Sequence, residues 1–293
     1  MGATTKRRLA SAALAIGALA ASATARAGYD QLNLPVGVTP ISQTAYDLHM
    51  LITWICVIIG VAVFGVMFLS IYLHRKSRGV TPAKFHHSTA AEIIWTIIPC
   101  VILVGMAYPA TKGLIAMEDT SEAEVTIKVT GYQWKWKYEY VEDGITLWSN
   151  LDPTSRAAIH GDVSAAENYL LSVDQPLVLP VGKKVRLLIT SDDVIHAWWV
   201  PQLGMKKDAI PGFVNEMWIR IDDDKAGIYR GQCAELCGKD HGFMPIVVDA
   251  RAADGYAAWV TERQAAKTAA APATAGTLAQ ATAQPTPAAR AAF

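Results

Sequence analysis

Hydrophobic positions along this chain change their spacing near residue 120, and the change divides the sequence into two kinds of structure. Residues 51–73 contain no charged side chain, and neither do residues 93–111. Each run is long enough for one helix across a bilayer, and the second predicts a helix continuing to Met117. Pro99 and Pro109 fall inside it, where packing by neighbouring helices makes proline tolerable in a membrane. Beyond residue 122 the period becomes two. Residues 125–130 alternate, and residues 133–140 place Trp134, Trp136, Tyr138 and Tyr140 at every even position. Residues 185–190, 216–221 and 244–249 are further predicted strands, separated by Gly, Pro and Asp turns. Such spacing predicts a β-sandwich or barrel of about 130 residues. Residues 252–267 read as a short closing helix. The Ala/Thr/Pro-rich tail over 268–293 is low in complexity and reads as disordered.

The start of the chain follows another pattern. Lys6, Arg7 and Arg8 precede an Ala-rich apolar run over 9–21, and Ala25-Arg26-Ala27 offers small residues for cleavage. Residues 1–27 therefore read as a secretory signal, followed by an exported segment over 28–46. The spans are expected at 47–73 and 92–117. The loop between them, 74–91, carries His74, Arg75, Lys76, Arg78, Lys84, His86 and His87, and the first acid after it is Glu92. Positive loops remain in the cytoplasm, so both outer ends of the hairpin face outward. The β region with its closing helix, 118–267, is then exported, in agreement with the signal.

Composition fits this mixture of membrane and soluble parts. The chain is 52% hydrophobic, with mean hydropathy +0.22 and zero net charge. The charge is unevenly placed: residues 118–262 hold 23 acids and 14 Lys or Arg, a net of −9. An acidic exported region suits a cationic partner and argues against nucleic acid.

The chemistry concentrates in Cys233-Ala-Glu-Leu-Cys237-Gly-Lys-Asp-His241-Gly-Phe-Met244. Two thiols, an imidazole and a thioether form a soft-ligand set that suits copper, with Met as a weak axial ligand. One blue copper needs a single Cys, so two Cys four apart suggest two metals sharing the thiolates. A second imidazole is then required. His196 directly follows the strand 185–190 in Ser191-Asp-Asp-Val-Ile-His196-Ala-Trp-Trp199. His160, in a polar loop, is the weaker candidate. In this arrangement Cys233 and Cys237 bridge, His196 and His241 cap one copper each, Met244 is axial on one, and the Glu235 carbonyl serves the other. A Cys233–Cys237 disulfide and a Cys₂His₂ zinc site are the competing readings. Cys56 and Cys100 lie in apolar runs and read as inert packing residues. His49, His74, His86 and His87 read as loop or interfacial residues. There is no C-x-x-C-H haem attachment motif, nucleotide loop or hydrolase elbow.

These motifs, with Glu92-Ile-Ile-Trp95-Thr-Ile-Ile-Pro99 and Gly131-Tyr-Gln-Trp134-Lys-Trp136-Lys-Tyr-Glu139-Tyr, resemble subunit II of haem–copper cytochrome c oxidases from Tyr46 to about Trp259. The resemblance implies a two-helix transmembrane hairpin followed by an all-β cupredoxin-like sandwich carrying dinuclear copper A. It places the copper ligands at His196, Cys233, Glu235 (through its carbonyl), Cys237, His241 and Met244. Quinol-oxidase relatives lack these ligands, which disfavours that branch.

The same resemblance implies that electrons arrive from cytochrome c at Trp134. Glu139, Asp174, Asp192 and Asp193 are then candidates for an acidic docking face. It also implies that Glu92 marks the mouth of a proton path into subunit I. The Glu235 carboxylate would help hold magnesium at the interface with subunit I. The implied whole is the electron-accepting subunit of a proton-pumping respiratory translocase in a bacterial inner membrane. Its copper domain would be periplasmic, its partners subunits I and III and membrane lipid, and its haems confined to subunit I. A membrane-anchored copper storage or delivery protein is the rival. It would keep Cys233, Cys237 and Met244 but have no use for Trp134 or Glu92. Nitrous oxide reductase, which holds a similar copper pair, is a longer soluble protein expected to carry many more than the seven His present here.

Overall fold

The computed structural model describes residues 32–81, 84 and 86–270. The predicted signal over 1–27 lies outside the described residues, as does the tail beyond Ala270. Helix α1 spans Pro40–Leu73 and helix α2 spans Thr89–Glu118. Both are apolar and long enough to cross a membrane. Helix α1 begins seven residues before the predicted 47. Thr39 caps it, Pro40 occupies its first turn, and a Thr39–Ser42 capping box satisfies free backbone donors. This first turn serves the β domain rather than the bilayer. Thr39 and Ser42 are buried, and the Thr39 hydroxyl donates to the Leu203 carbonyl at 3.1 Å. Gly204 makes that approach possible: at φ +82°, a Cβ there would lie 2.5 Å from Ser42 Cα.

Helix α2 starts one turn earlier than predicted, with Ser88 as its N-cap and Glu92 in its first turn. The helices touch where Gly113 of α2 meets Leu48 and Thr44 of α1, a close approach that a small residue permits. One turn further along the same C-terminal end of α2, the Trp218 indole donates to the Ala116 carbonyl at 3.0 Å and ties the helix to the β domain.

Ten strands follow: β1 Val125–Tyr132, β2 Lys135–Tyr140, β3 Ile145–Ser149, β4 Leu177–Pro180, β5 Val185–Ser191, β6 His196–Trp199, β7 Lys206–Ala209, β8 Asn215–Ile219, β9 Gly227–Cys233 and β10 Pro245–Arg251. A short helix α3, Pro153–Ala158, lies between β3 and β4, and α4, Ala253–Ala270, follows β10. One sheet runs β3-β2-β1-β5-β8 and the other β4-β10-β9-β6-β7. Pairing is antiparallel except for β1 with β5 and β10 with β4. Alternation drives the sandwich. Ile127, Val129, Leu187, Ile189 and Met217 of the first sheet are fully buried, as are Leu177, Leu179, Ile246 and Val248 of the second. Fully burying each such side chain contributes about 1.5–3 kcal/mol.

The predicted continuous strand over 133–140 is two elements. Gln133 and Trp134 form the two-residue turn of the β1–β2 hairpin, and only 135–140 is strand. Aromatic alternation runs through the turn and hides it, because the turn lacks the Gly or Asn that usually marks one. Strands β3, β4, β6, β7 and β9 were not predicted; β4, β6 and β7 have four residues each, and β9 contains two glycines.

Candidate metal centre

Four chain segments meet at one end of the sandwich. The β1–β2 turn brings Gln133 and Trp134, the start of β6 brings His196, the end of β9 brings Cys233, and the loop into β10 brings Cys237, His241 and Met244. The Nδ1 atom of His196 lies 3.9 Å from Cys233 Sγ, and the two Sγ atoms lie 3.9 Å apart. Cys237 Sγ is 3.4 Å from His241 Nδ1 and 3.6 Å from Met244 Sδ. The Glu235 carbonyl is 3.4 Å from Cys233 Sγ. The order in space is therefore imidazole, thiol, thiol, imidazole, with the carbonyl beside the first thiol and the thioether beside the second. His196, Cys233 and Cys237 bring ligand atoms within 4.8 Å of one another. These three and Met244 are buried, and His241 is half-buried.

Electrostatics divides the two thiols. Burial raises the pKa of Cys233, but hydrogen bonds with His196 and with the Glu235 and Ala197 backbone outweigh it, so the net shift is downward. Cys237 moves up, first through burial and then through the neighbouring Cys233 charge. One thiolate thus discourages the second, and positive charge between them would relieve both. The donor set fits soft cations: two sulfurs to share, one imidazole nitrogen for each end, and weak donors to complete each side. The 3.9 Å between the two sulfurs is well beyond the S–S bond length of about 2.05 Å.

His196 is held from behind. Its Nε2 lies 2.9 Å from Asp193 Oδ1, and with the proton on Nε2 the Nδ1 lone pair faces Cys233. Burial lowers the His196 pKa, yet hydrogen bonds to Cys233 and Asp193 more than reverse that. The Asp193 carboxylate also accepts from the Gln133 amide at 2.6 Å and the Val194 amide at 2.6 Å. Burial raises its pKa, and these bonds with His196 and the two amides bring it below the ordinary carboxylate value. Gly131 leaves the space the imidazole occupies, since a Cβ there would stand 2.8 Å from His196 Cδ2. The Trp136 ring meets the imidazole edge-on, and its Nε1 donates to the Met244 carbonyl at 3.4 Å.

Trp134 sits half-buried at the hairpin tip, and its Nε1 donates to the Cys237 carbonyl at 3.1 Å. Gln133 Nε2 donates to the same oxygen at 2.9 Å. A half-buried indole is therefore joined by a single hydrogen bond to a thiol-bearing residue.

The remaining candidates are dispersed. Asp192 is exposed beside the β1–β2 turn. Glu139 is on β2 and pairs with Lys137 at 2.9 Å and Lys128 at 3.8 Å. Asp174 accepts from the Asn150 amide and side chain before β4. The Glu235 side chain is exposed. Glu92 is exposed on the first turn of α2, at the far end of the hairpin from the cluster. His160 is exposed after α3, and no described contact brings it to the cluster. Sequence reasoning did not single out Gly131, Gln133 or Trp136 for the site. Nor did it see that Asp193 grips His196. Only the Asp-to-His spacing of three within one loop could have signalled that contact.

A two-helix membrane hairpin bearing a β-sandwich with a dithiol, two imidazoles and a thioether at one pole defines a membrane-anchored soft-metal domain, and the donor set suggests copper. Two family patterns match it: the cytochrome c oxidase subunit II transmembrane domain over residues 27–112 and the periplasmic domain over 125–251. A probable cytochrome c oxidase subunit 2 from Rickettsia prowazekii is 40% identical over 231 residues, covering 78% of this chain and 71% of the relative. The cytochrome c oxidase subunit 2 of Cereibacter sphaeroides is 38% identical over 237 residues, covering 75% of this chain and 77% of the relative. The solved periplasmic domain of cytochrome oxidase subunit II from Bradyrhizobium japonicum shares 38% identity. It covers 50% of this chain and 98% of that one, with a TM-score of 0.44. The chain belongs to the cytochrome c oxidase subunit II family and is a membrane-bound subunit of an oxidase complex.

Proposed function

We propose that this subunit accepts electrons from cytochrome c at a dinuclear copper A centre and passes them to haem in subunit I, for oxygen reduction coupled to proton pumping. The observation that carries the reading is the N–S–S–N order of His196, Cys233, Cys237 and His241, with Met244 and the Glu235 carbonyl on opposite thiols. Those six residues are the proposed ligands. When bound, the copper pair supplies a one-electron carrier with small reorganisation. The chain's own contribution is to fix and shield it. Asp193 and Gly131 set the His196 ring, Trp136 closes the interior side, and burial of both thiols excludes water. Trp134 supplies the outer contact for cytochrome c, coupled through its Nε1 to the Cys237 carbonyl. Asp192, Asp193, Glu139 and Asp174 contribute to the acidic surface, within a region of net −9. Complementary charge of this kind raises the association rate and makes it salt-sensitive.

The other assignments follow the same reading. The β domain lies on the periplasmic side of a bacterial inner membrane, exported by the signal over residues 1–27. Subunits I and III complete the complex. Glu92 stands at the mouth of a proton path into subunit I, and the Glu235 carboxylate contributes to a magnesium site there. Stopped-flow mixing of the assembled oxidase with reduced cytochrome c tests the central step. Trp134→Ala is expected to slow electron transfer by about tenfold or more while copper content stays constant, as the loss of a positioned contact does. An unchanged rate contradicts electron arrival at Trp134.

A further inference from the structure

The end of α1 far from the β-sandwich carries a second organised cluster. After Leu73 the chain makes a single 3₁₀ turn over Lys76–Arg78. Gly79 closes it at φ +68°, and its amide donates to the Lys76 carbonyl at 3.1 Å. The turn folds two guanidinium groups back onto one ring. The Arg75 guanidinium stands 5.1 Å and the Arg78 guanidinium 4.7 Å from the centroid of Tyr72. Tyr72 is the penultimate residue of the membrane helix and is exposed. Neither arginine has a carboxylate partner among the described residues. The connecting loop, 74–91, contains no acid at all.

Two cations drawn to one ring repel each other, and the aromatic quadrupole offsets only part of that repulsion. A bound anion beside these guanidiniums would lower it. Guanidinium forks match phosphate oxygens bidentately, and stacking on a ring limits the freedom the forks lose when they bind. The position at a helix end, flanked by an interfacial tyrosine, sets that anion at headgroup depth. We propose that Arg75 and Arg78, braced on Tyr72, form a binding site for the headgroup phosphate of an anionic phospholipid. The Tyr72 ring and the last turn of α1 would lie against the upper acyl chain.

The assembled oxidase carries the test. Detergent-purified complex, washed of loosely held lipid, is incubated with mixed micelles of phosphatidylglycerol or phosphatidylcholine, and retained lipid is counted by native mass spectrometry. Wild type is expected to hold about one more phosphatidylglycerol than R75Q/R78Q, with no difference in phosphatidylcholine. R75K/R78K should retain an intermediate amount, because the ammonium keeps charge and loses the fork. Tyr72→Phe should hold the lipid and Tyr72→Leu should release it. Equal phosphatidylglycerol retention by wild type and R75Q/R78Q overturns the proposal. Full displacement by inorganic phosphate also overturns it, because the site would then take the free anion. Loss of partner subunits from R75Q/R78Q overturns it as well, by making the arginines a protein contact.

Discussion

Two cysteines lie at the pole of the sandwich and two lie in the membrane hairpin, and the pairs could hardly be treated more differently. Cys233 and Cys237 are buried with their sulfurs 3.9 Å apart, and each has its own imidazole. Cys56 and Cys100 sit on separate helices, exposed on apolar surfaces, with no polar partner among the described residues. The histidines divide in the same way. His196 is fixed at both nitrogens, by Cys233 and Asp193, whereas His74 meets Ser70 one turn back through a single nitrogen, at 3.0 Å from its carbonyl and 3.4 Å from its hydroxyl. Residue type alone therefore carries little chemistry. Convergence of several elements on one point, with His196 oriented from behind by Asp193, is what distinguishes the pole. The hairpin shows the complementary design, in which uncharged surface faces outward to meet lipid or partner helices.

Substitutions can break this contrast, and the largest effect is expected at the thiols. Cys233→Ser or Cys237→Ser should abolish copper binding as a pair and cytochrome c oxidation with it. Cys56→Ser and Cys100→Ser should leave both at wild-type level. Metal analysis of the purified complex, read beside turnover, checks all four. Next comes the residue behind the imidazole. Asp193→Asn removes the charge facing His196 Nε2, and copper affinity should fall by about 10–100-fold, measured by competition with a copper chelator. Space for that ring can be tested separately. Gly131→Ala sets a methyl 2.8 Å from His196 Cδ2, so the strand or the ring must shift. Overpacking of this kind costs about 1–3 kcal/mol, which thermal melting of the complex would read. Trp134→Phe keeps an aromatic ring in place of the indole and loses the bond to the Cys237 carbonyl, a change of about 1 kcal/mol in the same melt.

The smallest effect is expected at the edge of the sandwich, away from the pole. Arg186 donates to Glu216 at 2.6 and 3.0 Å, and the Thr120 hydroxyl adds a third bond. These bonds, chiefly those from Arg186, hold the Glu216 pKa below its ordinary value. A carboxyl with a depressed folded pKa stabilises the fold above its unfolded pKa, about 4.3, and loses that contribution as pH falls through the lower folded value. Both partners are about a third exposed, so solvent screens the pair. Glu216→Gln should lower the melting temperature by no more than about 1–2 °C at neutral pH, and the difference should vanish in acid.

Much of this architecture was legible in the sequence because its signals are local. Uncharged runs marked the two spans, and alternation marked β1, β5, β8 and β10. The Cys233–Met244 segment concentrates the candidate chemistry, since five of the six candidate ligands fall within twelve residues. Long-range features were harder to read. The first turn of α1 looks like exported linker until the buried Thr39–Leu203 contact gives it a role. Trp134 belongs by alternation to a strand, and only pairing of Tyr132 with Lys135 shows that it sits in a turn. Asp193 reads as a surface acid, but its carboxylate joins the β1–β2 turn to His196. Each of these depends on contacts between residues far apart in the chain, which periodicity does not encode.

The electron paramagnetic resonance spectrum of the assembled, copper-replete oxidase, read with the copper count of this subunit, tests the central claim most directly. One electron shared equally by two copper nuclei gives a seven-line hyperfine pattern, and that pattern with two coppers per chain is the expected result. A four-line pattern with one copper would contradict the shared-thiolate centre and favour the membrane-anchored copper storage or delivery protein.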